Sequence, residues 1–394
     1  MKLFKNFVAC ILFLLPVFTA HSQPLSNNAE ISLLTCSSGK ELYATFGHSA
    51  IRVHDTISNT DIVFNYGVFD FNTPHFYWKF VSGKLNYQLA IQSTRRFLRM
   101  YKNEGRSVVE EEIILTDKEK QKLLVFLQKN YLPENRYYLY DFFYNNCSSK
   151  IWDVTAKQIE QPLYFDSTAY SPETFRKMLF PYLKNLPWAK LGINILLGLP
   201  ADKTADFEEQ MFLPDYLSYN MSHTLREKDK HEAQSILGPR KILVKTQRPV
   251  LTNTWEPLWV FWIIFGIIFI LSIFRFSKKI MSVIDYLLYS VTGLLGILLS
   301  FLWFISEHQA MNANLDLLWA SPIAVLVIIG KAFSLKKINK VLIGLYILTI
   351  ITLLIGFSFF NQQFSPCIIP ISLILLTRLL TNELKLIKTP GKTN

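Results

Sequence analysis

Cysteine is scarce in this chain, with four in 394 residues, and histidine is little commoner at seven. No spacing of His, Cys and carboxylate side chains resembles a zinc site, so neither a structural metal nor a metal-activated water is expected. No internal repeat or low-complexity tract is evident, which argues against a solenoid or a disordered array. Acidic residues are outnumbered, 30 to 41, for a formal net charge of +11. The excess is unevenly placed. Residues 24–250 hold 28 basic and 25 acidic side chains, a net of only +3, and the rest sits at the two ends. Charge here reports topology, and no nucleic-acid partner is expected.

What is abundant is apolar sequence, at 50% of the chain. A basic start with Lys2 and Lys5, an apolar stretch over 7–20 and the small-x-small run Ala20-His21-Ser22 predict a secretory signal peptide over 1–22, with an uncleaved anchor as the alternative. No cysteine follows that run directly, so the chain does not itself read as a lipoprotein. Five further apolar runs lie near 255–274, 280–305, 315–329, 341–360 and 365–380, each approaching the ~20 residues needed to cross hydrocarbon. The loop with Arg275, Lys278 and Lys279 alternates with 306–314, which has no Lys or Arg; the loop with Lys331, Lys336, Lys337 and Lys340 alternates with 361–364, which again has none. Basic loops fall on one side at every crossing, which puts them in the cytoplasm and residues 24–250 outside. The expected organisation is an exported domain over 23–225, a polar, helical stalk over 226–250, five transmembrane helices over 251–382 and a cytoplasmic tail over 383–394.

The exported part mixes strand and helix patterns, an α+β composition. Segments 30–36, 49–54, 61–68 and 106–115 read as strands, 76–92 as an aromatic, strand-like stretch and 40–46 as a short helix or turn. Thr116 and Glu119 form a capping-box start to a helix reaching about residue 130, 147–157 is a second helix, and Ser171-Pro172-Glu173 opens a third. The aromatic group Tyr66, Phe69, Phe71, Phe76, Tyr77, Trp78 and Phe80 reads mainly as core, with part available to acyl chains or a membrane surface.

Cys147 stands out within this domain. It directly follows the capping residues Asn145 and Asn146, and a thiol at a helix N-terminus beside a histidine can fall from about 8.5 to roughly 3.5–7.5. That position suits a nucleophile. His48, far upstream on the strand of Phe46-Gly47-His48-Ser49-Ala50-Ile51-Arg52-Val53, is the candidate base, and Asn65 on the next strand is the candidate third member that would fix its tautomer. Asp70 is a weaker candidate for the same task, while His54 and His75 read as surface or packing residues. The rival reading is a Cys36–Cys147 disulfide, because these are the two exported cysteines and the compartment can be oxidising.

A strand opening on Gly47-His48 and, much later, a helix opening on Asn146-Cys147 is the order of circularly permuted papain-like enzymes. The domain thereby resembles lecithin retinol acyltransferase and permuted relatives of NlpC-type peptidases. More closely, Leu34-Thr35-Cys36-Ser37-Ser38-Gly39, the Phe46 to Val53 strand, Val63-Phe64-Asn65-Tyr66-Gly67 with Phe69-Asp70-Phe71, and Tyr140-Asp141-Phe142-Phe143-Tyr144-Asn145-Asn146-Cys147 resemble the periplasmic domain of Lnb, the lipoprotein N-acyltransferase family of Bacteroidota. Met211-Phe212-Leu213-Pro214-Asp215-Tyr216-Leu217 and the tail of membrane helices share the resemblance. It implies an α+β permuted papain-like (NlpC/LRAT-like) domain followed by an all-α five-helix transmembrane domain in the bacterial inner membrane. It also implies Cys147 as nucleophile, His48 as base and Asn65 as third member, without a cofactor. The partners implied are a phospholipid acyl donor, diacylglyceryl lipoprotein acceptors and membrane lipid. Two other classes stay open: a membrane-tethered cysteine amidase or peptidase acting on peptidoglycan or peptides, and a non-enzymatic envelope sensor built on a Cys36–Cys147 bridge.

Overall fold

The computed structural model describes residues 24–229, 232–246, 255–274 and 276–387. The expected signal peptide over 1–22, Arg275 and the tail from 388 onward lie outside the described residues. The first strand, β1 (Glu30–Cys36), is buried at every position after Glu30, as a central strand with apolar side chains on both faces must be. It is followed by β2 (His48–Asp55), β3 (Thr60–Val68), α1 (Phe76–Val81), β4 (Asn86–Ser93), α2 (Thr94–Asn103), β5 (Val108–Glu112), α3 (Asp117–Tyr131) and β6 (Tyr137–Leu139). Then come α4 (Cys147–Ala156), β7 (Leu163–Phe165), β8 (Glu173–Thr174), α5 (Phe175–Leu179), α6 (Pro187–Leu196), β9 (Thr204–Ala205), α7 (Pro214–Ser222), β10 (Thr224–Asp229), β11 (Glu232–Ser235) and β12 (Lys241–Val244).

Seven strands form one sheet in the order β12-β5-β1-β2-β3-β4-β6, antiparallel at every pairing. Period-two alternation gives the central strands two apolar faces. Ile31, Leu33, Ile51 and Val53 pack with Leu123 and Leu127 of α3, Ile151 and Trp152 of α4 and Leu217 of α7. Leu34, Cys36 and Ala50 pack instead with Phe97 and Tyr101 of α2. Each large apolar side chain so buried contributes roughly 1.5–3 kcal/mol. Helix α3 begins where its capping box requires, with Thr116 Oγ1 accepting from Glu119 N and Glu119 Oε2 accepting from Thr116 N.

Four expectations change. The strand-like stretch 76–92 divides into α1 and β4, because Phe76 and Phe80 stack one helical turn apart at a 6.2 Å centroid distance and hold that turn helical. The stalk expected over 226–250 is neither helical nor detached over its described residues. β10 and β11 form a small sheet with β7, while β12 extends the main sheet beside β5. The third helix starts at Phe175, capped by Thr174, because Glu173 and Thr174 are drawn into a pairing with β9. Finally, of the aromatic group only Tyr66 is fully buried; Phe71, Tyr77, Trp78 and Phe80 are exposed.

The remainder is helical: α8 (Pro257–Ile273), α9 (Lys278–Phe304), α10 (Ile323–Ala332), α11 (Lys336–Gly356) and α12 (Ile368–Ile387). Among the described residues α9 and α11 are long and apolar enough to cross a membrane. Residues 309–318 and α10 pass the same test together, bent by 49°, while α8 and residues 368–381 are shorter apolar helices. A charge in such a bundle must be paired. Arg378 on α12 meets Asp285 on α9 through two hydrogen bonds of 2.7 and 3.1 Å, and Ser272 on α8 at 2.9 Å.

The α+β domain is fastened to this bundle through the segment 305–314, and a buried arginine closes the end of α6 where that segment docks. Glu307 N donates to Ser82 O at 3.0 Å, His308 Nε2 bonds Phe80 O at 2.7 Å, Gly198 N donates to Ala310 O at 3.0 Å, and Asn314 Nδ2 donates to Ile195 O at 2.7 Å. Arg176 gathers the carbonyls that end α6, those of Asn194, Leu197 and Gly198, and pairs twice with Asp202 at 2.9 Å. Helix-end carbonyls have no intrahelical donor, so a buried cation there satisfies several at once.

Candidate active site

Cys147 occupies the first helical position of α4, behind the N-cap Asn146. Asn146 Oδ1 accepts from Ser148 N at 2.8 Å and Ser149 N at 3.0 Å, and Ser149 Oγ accepts from Asn146 N at 2.9 Å. The amide nitrogen of Asn146 donates to Phe142 O at 2.7 Å and Phe212 O at 2.8 Å. One side chain therefore both starts the helix and ties it to the 211–217 segment. The N-terminal pole of a helix favours negative charge, here a thiolate.

His48 is the first residue of β2, and Gly47 before it has φ +83°, a conformation open to glycine. A Cβ at 47 would also stand 2.9 Å from Cys36 O, so the Gly-His pair is a packing requirement as well as a turn. His48 Nε2 donates to Asn65 Oδ1 at 2.5 Å, which leaves Nδ1 as the basic nitrogen. The imidazole and the Cys147 thiol face each other closely enough that each shifts the other's titration. Behind them Ser49 Oγ and Ser148 Oγ lie 3.0 Å apart in the core, joining the residue after the histidine to the residue after the cysteine. The three candidate residues are thus brought together from β2, β3 and α4. Asp70 is exposed and accepts from Asn72, so it takes no part.

Electrostatics separate the two exported thiols. Burial pushes Cys147 up, but the charge and hydrogen bond of His48, the Ser49 N–H and the Ser148 hydroxyl outweigh it and bring the thiol to about 7, from an ordinary 9.0. Burial pulls His48 down, yet the charge and hydrogen bond of Cys147 and the Asn65 oxygen leave it raised. These opposite shifts describe a thiolate–imidazolium pair. Cys36, the register partner of His48 on β1, is pushed up to about 12 chiefly by burial. It stays a thiol. Cys36 and Cys147 are both free, so the expected rival, a Cys36–Cys147 disulfide, is not formed: Cys36 is enclosed between β2 and the α2 face while Cys147 sits on a helix end.

A cavity of about 570 Å³ opens beside this group, within the 300–1,000 Å³ usual for small-molecule sites. Its floor is His48, Asn65 and Cys147, and its walls are largely apolar. Some wall residues come from the α+β domain, such as Phe69 and Phe80; Leu298 and Leu302 come from α9. Among the described residues no group of three or more His, Cys, Asp and Glu could hold a metal ion.

Sequence reasoning did not single out Tyr101, whose ring stacks with His48 at 6.5 Å, or Gly67, whose bare backbone at φ +83° passes beside Cys147. The Ser49–Ser148 pair went unnoticed too. The 211–217 segment stood out only as part of a family pattern; Pro214 and Phe212 line the cavity and pack against Gly47 and Asn146.

The thiol pKa predicts reactivity. Alkylation of Cys147 by iodoacetamide, followed by peptide mass mapping, should rise with pH to a half-maximum near 7. In His48→Ala burial remains while its counterweight is gone, so the half-maximum should move to 9 or above. At pH 7 that two-unit change is a roughly 50-fold slower reaction. A wild-type half-maximum near 9 would contradict the paired state.

Fold and site together define a membrane-anchored protein, an α+β domain that carries a Cys–His–Asn group and stands on apolar helices. The comparisons make this specific. The profile of the Lnb N-terminal periplasmic domain matches residues 21–180, and that of the Lnb transmembrane domain matches residues 250–389. The chain belongs to the Lnb family and is an inner-membrane protein with a periplasmic N-terminal domain. Neither a curated protein nor a solved structure matches it.

Proposed function

We propose that this protein is a cysteine-dependent lipoprotein N-acyltransferase, with a permuted papain-like periplasmic domain on five membrane spans. The observation that carries this reading is the position of the cavity, which runs from the Cys147–His48 pair to side chains of the membrane helix α9. Lipid tails are about as apolar as leucine, so an acyl chain moving from bilayer to cavity gains or loses little, provided that its route stays apolar. A cavity walled jointly by the domain and α9 supplies such a route. Trp78, 62% exposed, lies 5.3 Å from Phe301 near the end of α9, and Tyr77 beside it is 80% exposed. Aromatic rings at that level suit the membrane interface. A soluble peptidase would have less need of this arrangement.

In the proposed reaction the Cys147 thiolate attacks the carbonyl carbon of a phospholipid ester while His48 holds the thiol's proton. The C–O bond breaks, His48 protonates the departing lysophospholipid oxygen, and an acyl-Cys147 thioester remains. The α-amine of a diacylglyceryl-cysteine then attacks the thioester, its proton passing through His48 to the leaving Cys147 sulfur, and an amide forms. Asn65 holds the imidazole tautomer. Ser148 N and Ser149 N are already spent on Asn146, so stabilising the oxyanion falls to the Cys147 N–H.

The test is the intact mass of full-length protein after exposure to phospholipid vesicles. One added acyl group on Cys147, discharged by a diacylglyceryl lipopeptide that becomes N-acylated, is the expected result. No adduct with phospholipid, together with cleavage of peptidoglycan fragments, would replace this reading with the amidase.

A further inference from the structure

Arg106 lines the cavity and is 5% exposed, and it is the one Arg or Lys there among the described residues. It follows a turn at Gly105, φ +67°, that sends the chain from α2 towards β5, and Arg106 N donates back to Tyr101 O at 2.9 Å. Its guanidinium is held on three sides. Nε donates to Ser37 O at 2.7 Å, Nη1 donates to Glu104 Oε2 at 3.2 Å, and the guanidinium carbon lies 4.5 Å from the centre of the Tyr101 ring. Nη2 has no partner among the described residues. Several buried polar atoms share that condition, including Tyr138 OH and Thr35 Oγ1, but Arg106 is the one among those residues that lines the cavity, with Nη2 itself enclosed.

Burying a guanidinium with donors unspent is unfavourable unless a ligand uses them, and a planar fork fits the paired oxygens of a phosphate. Tyr101 stacks on His48, so the cation is one side chain removed from the proposed base. In a glycerophospholipid the phosphodiester is likewise separated from the ester carbonyls by the short glycerol backbone. Glu104, the present partner of Nη1, is 45% exposed at its side chain and can turn to solvent when an anion arrives.

We propose that Arg106 binds the phosphodiester of the acyl donor while the donor's ester lies at Cys147, so that the site selects phospholipids from other acyl esters. This rests on the acyl-transfer reading above. The anchored guanidinium is the fixed point, and the acyl chain occupies the apolar side towards α9.

The experiment measures initial rates of acyl-Cys147 formation by intact mass, using full-length protein in detergent micelles and two donors with the same chain. One is dipalmitoyl phosphatidylglycerol and the other is the phosphate-free p-nitrophenyl palmitate. Arg106→Gln should slow acylation from the phospholipid at least about tenfold and leave that from the nitrophenyl ester within about twofold. Arg106→Lys should recover part of the loss. Equal slowing with both donors, or no slowing with the phospholipid, overturns the assignment. Should Arg106→Gln fail to fold, Glu104→Ala keeps the guanidinium and releases Nη1. Faster acylation from the phospholipid alone is then expected, and no change with either donor overturns the proposal. Wild-type protein acylated by neither donor would remove the acyl-transfer reading itself, which keeps the two failures apart.

Discussion

Cys147→Ser should lower N-acyl transfer by about 10⁴-fold or more and eliminate the acyl adduct, while the protein stays folded and abundant. The surroundings of Cys147 bring a thiol to about 7. A hydroxyl starts so much higher that the same surroundings cannot ionise it usefully, and loss of a nucleophile typically removes nearly all catalysis by the group it belongs to. Stability should change little, because Cys147 forms no disulfide and its helix is capped by Asn146 through groups that the substitution leaves alone. Cys36→Ala is the control. Its thiol is buried and protonated, so activity should persist at the expense of some core packing. Lipoproteins retaining full N-acylation in cells whose only copy carries Cys147→Ser would defeat the mechanism. Activity lost equally in Cys36→Ala would move attention to the second thiol.

Arg176→Leu should destabilise the protein by about 3–5 kcal/mol, a large share of the 5–15 kcal/mol that holds a typical domain folded. The guanidinium is fully buried, and its removal strands the Asp202 carboxylate together with the carbonyls of Asn194, Leu197 and Gly198. Gly198 is also bonded to Ala310 on the segment leading out of α9, so the joint between domain and bundle should loosen with it. Thermal unfolding in detergent should show a drop of several degrees, and activity should fall because the cavity is shared across that joint. Adding Asp202→Leu should return much of the stability, since an apolar pair replaces an ion pair better than an orphaned charge does. A single variant as stable as wild type would show that the arginine is not what closes the end of α6.

Much of the local structure could be read from the chain. β1 has the bounds its apolar run suggested, and α3 and α4 begin behind the caps at Thr116 and Asn146, because strand alternation and capping are local physics that neighbouring residues settle among themselves. Residues 76–92 misled because aromatic side chains favour strands on average, whereas here Phe76 to Val81 wind into one helical turn whose ring pairs and contact with Phe301 outweigh that preference. Residues 226–250 misled for a different reason. Edge strands with polar outer faces carry the same composition as a solvated linker, and β12 becomes a strand only through partners on β5 more than a hundred residues earlier.

The sequence by itself therefore determined which residues could supply a thiolate, a base and an orienting amide, that the chain ends in apolar membrane helices, and which side of the membrane the N-terminal domain occupies. Only the tertiary structure decided that His48 and Asn65 meet Cys147, that Cys36 is sealed away as a neutral thiol, and that the cavity beside them is walled in part by α9. The physical reason is range. Dihedral preference, capping and alternation act over a few residues, but proximity, desolvation and shared cavities arise from burial summed over surfaces that the chain brings together from far apart.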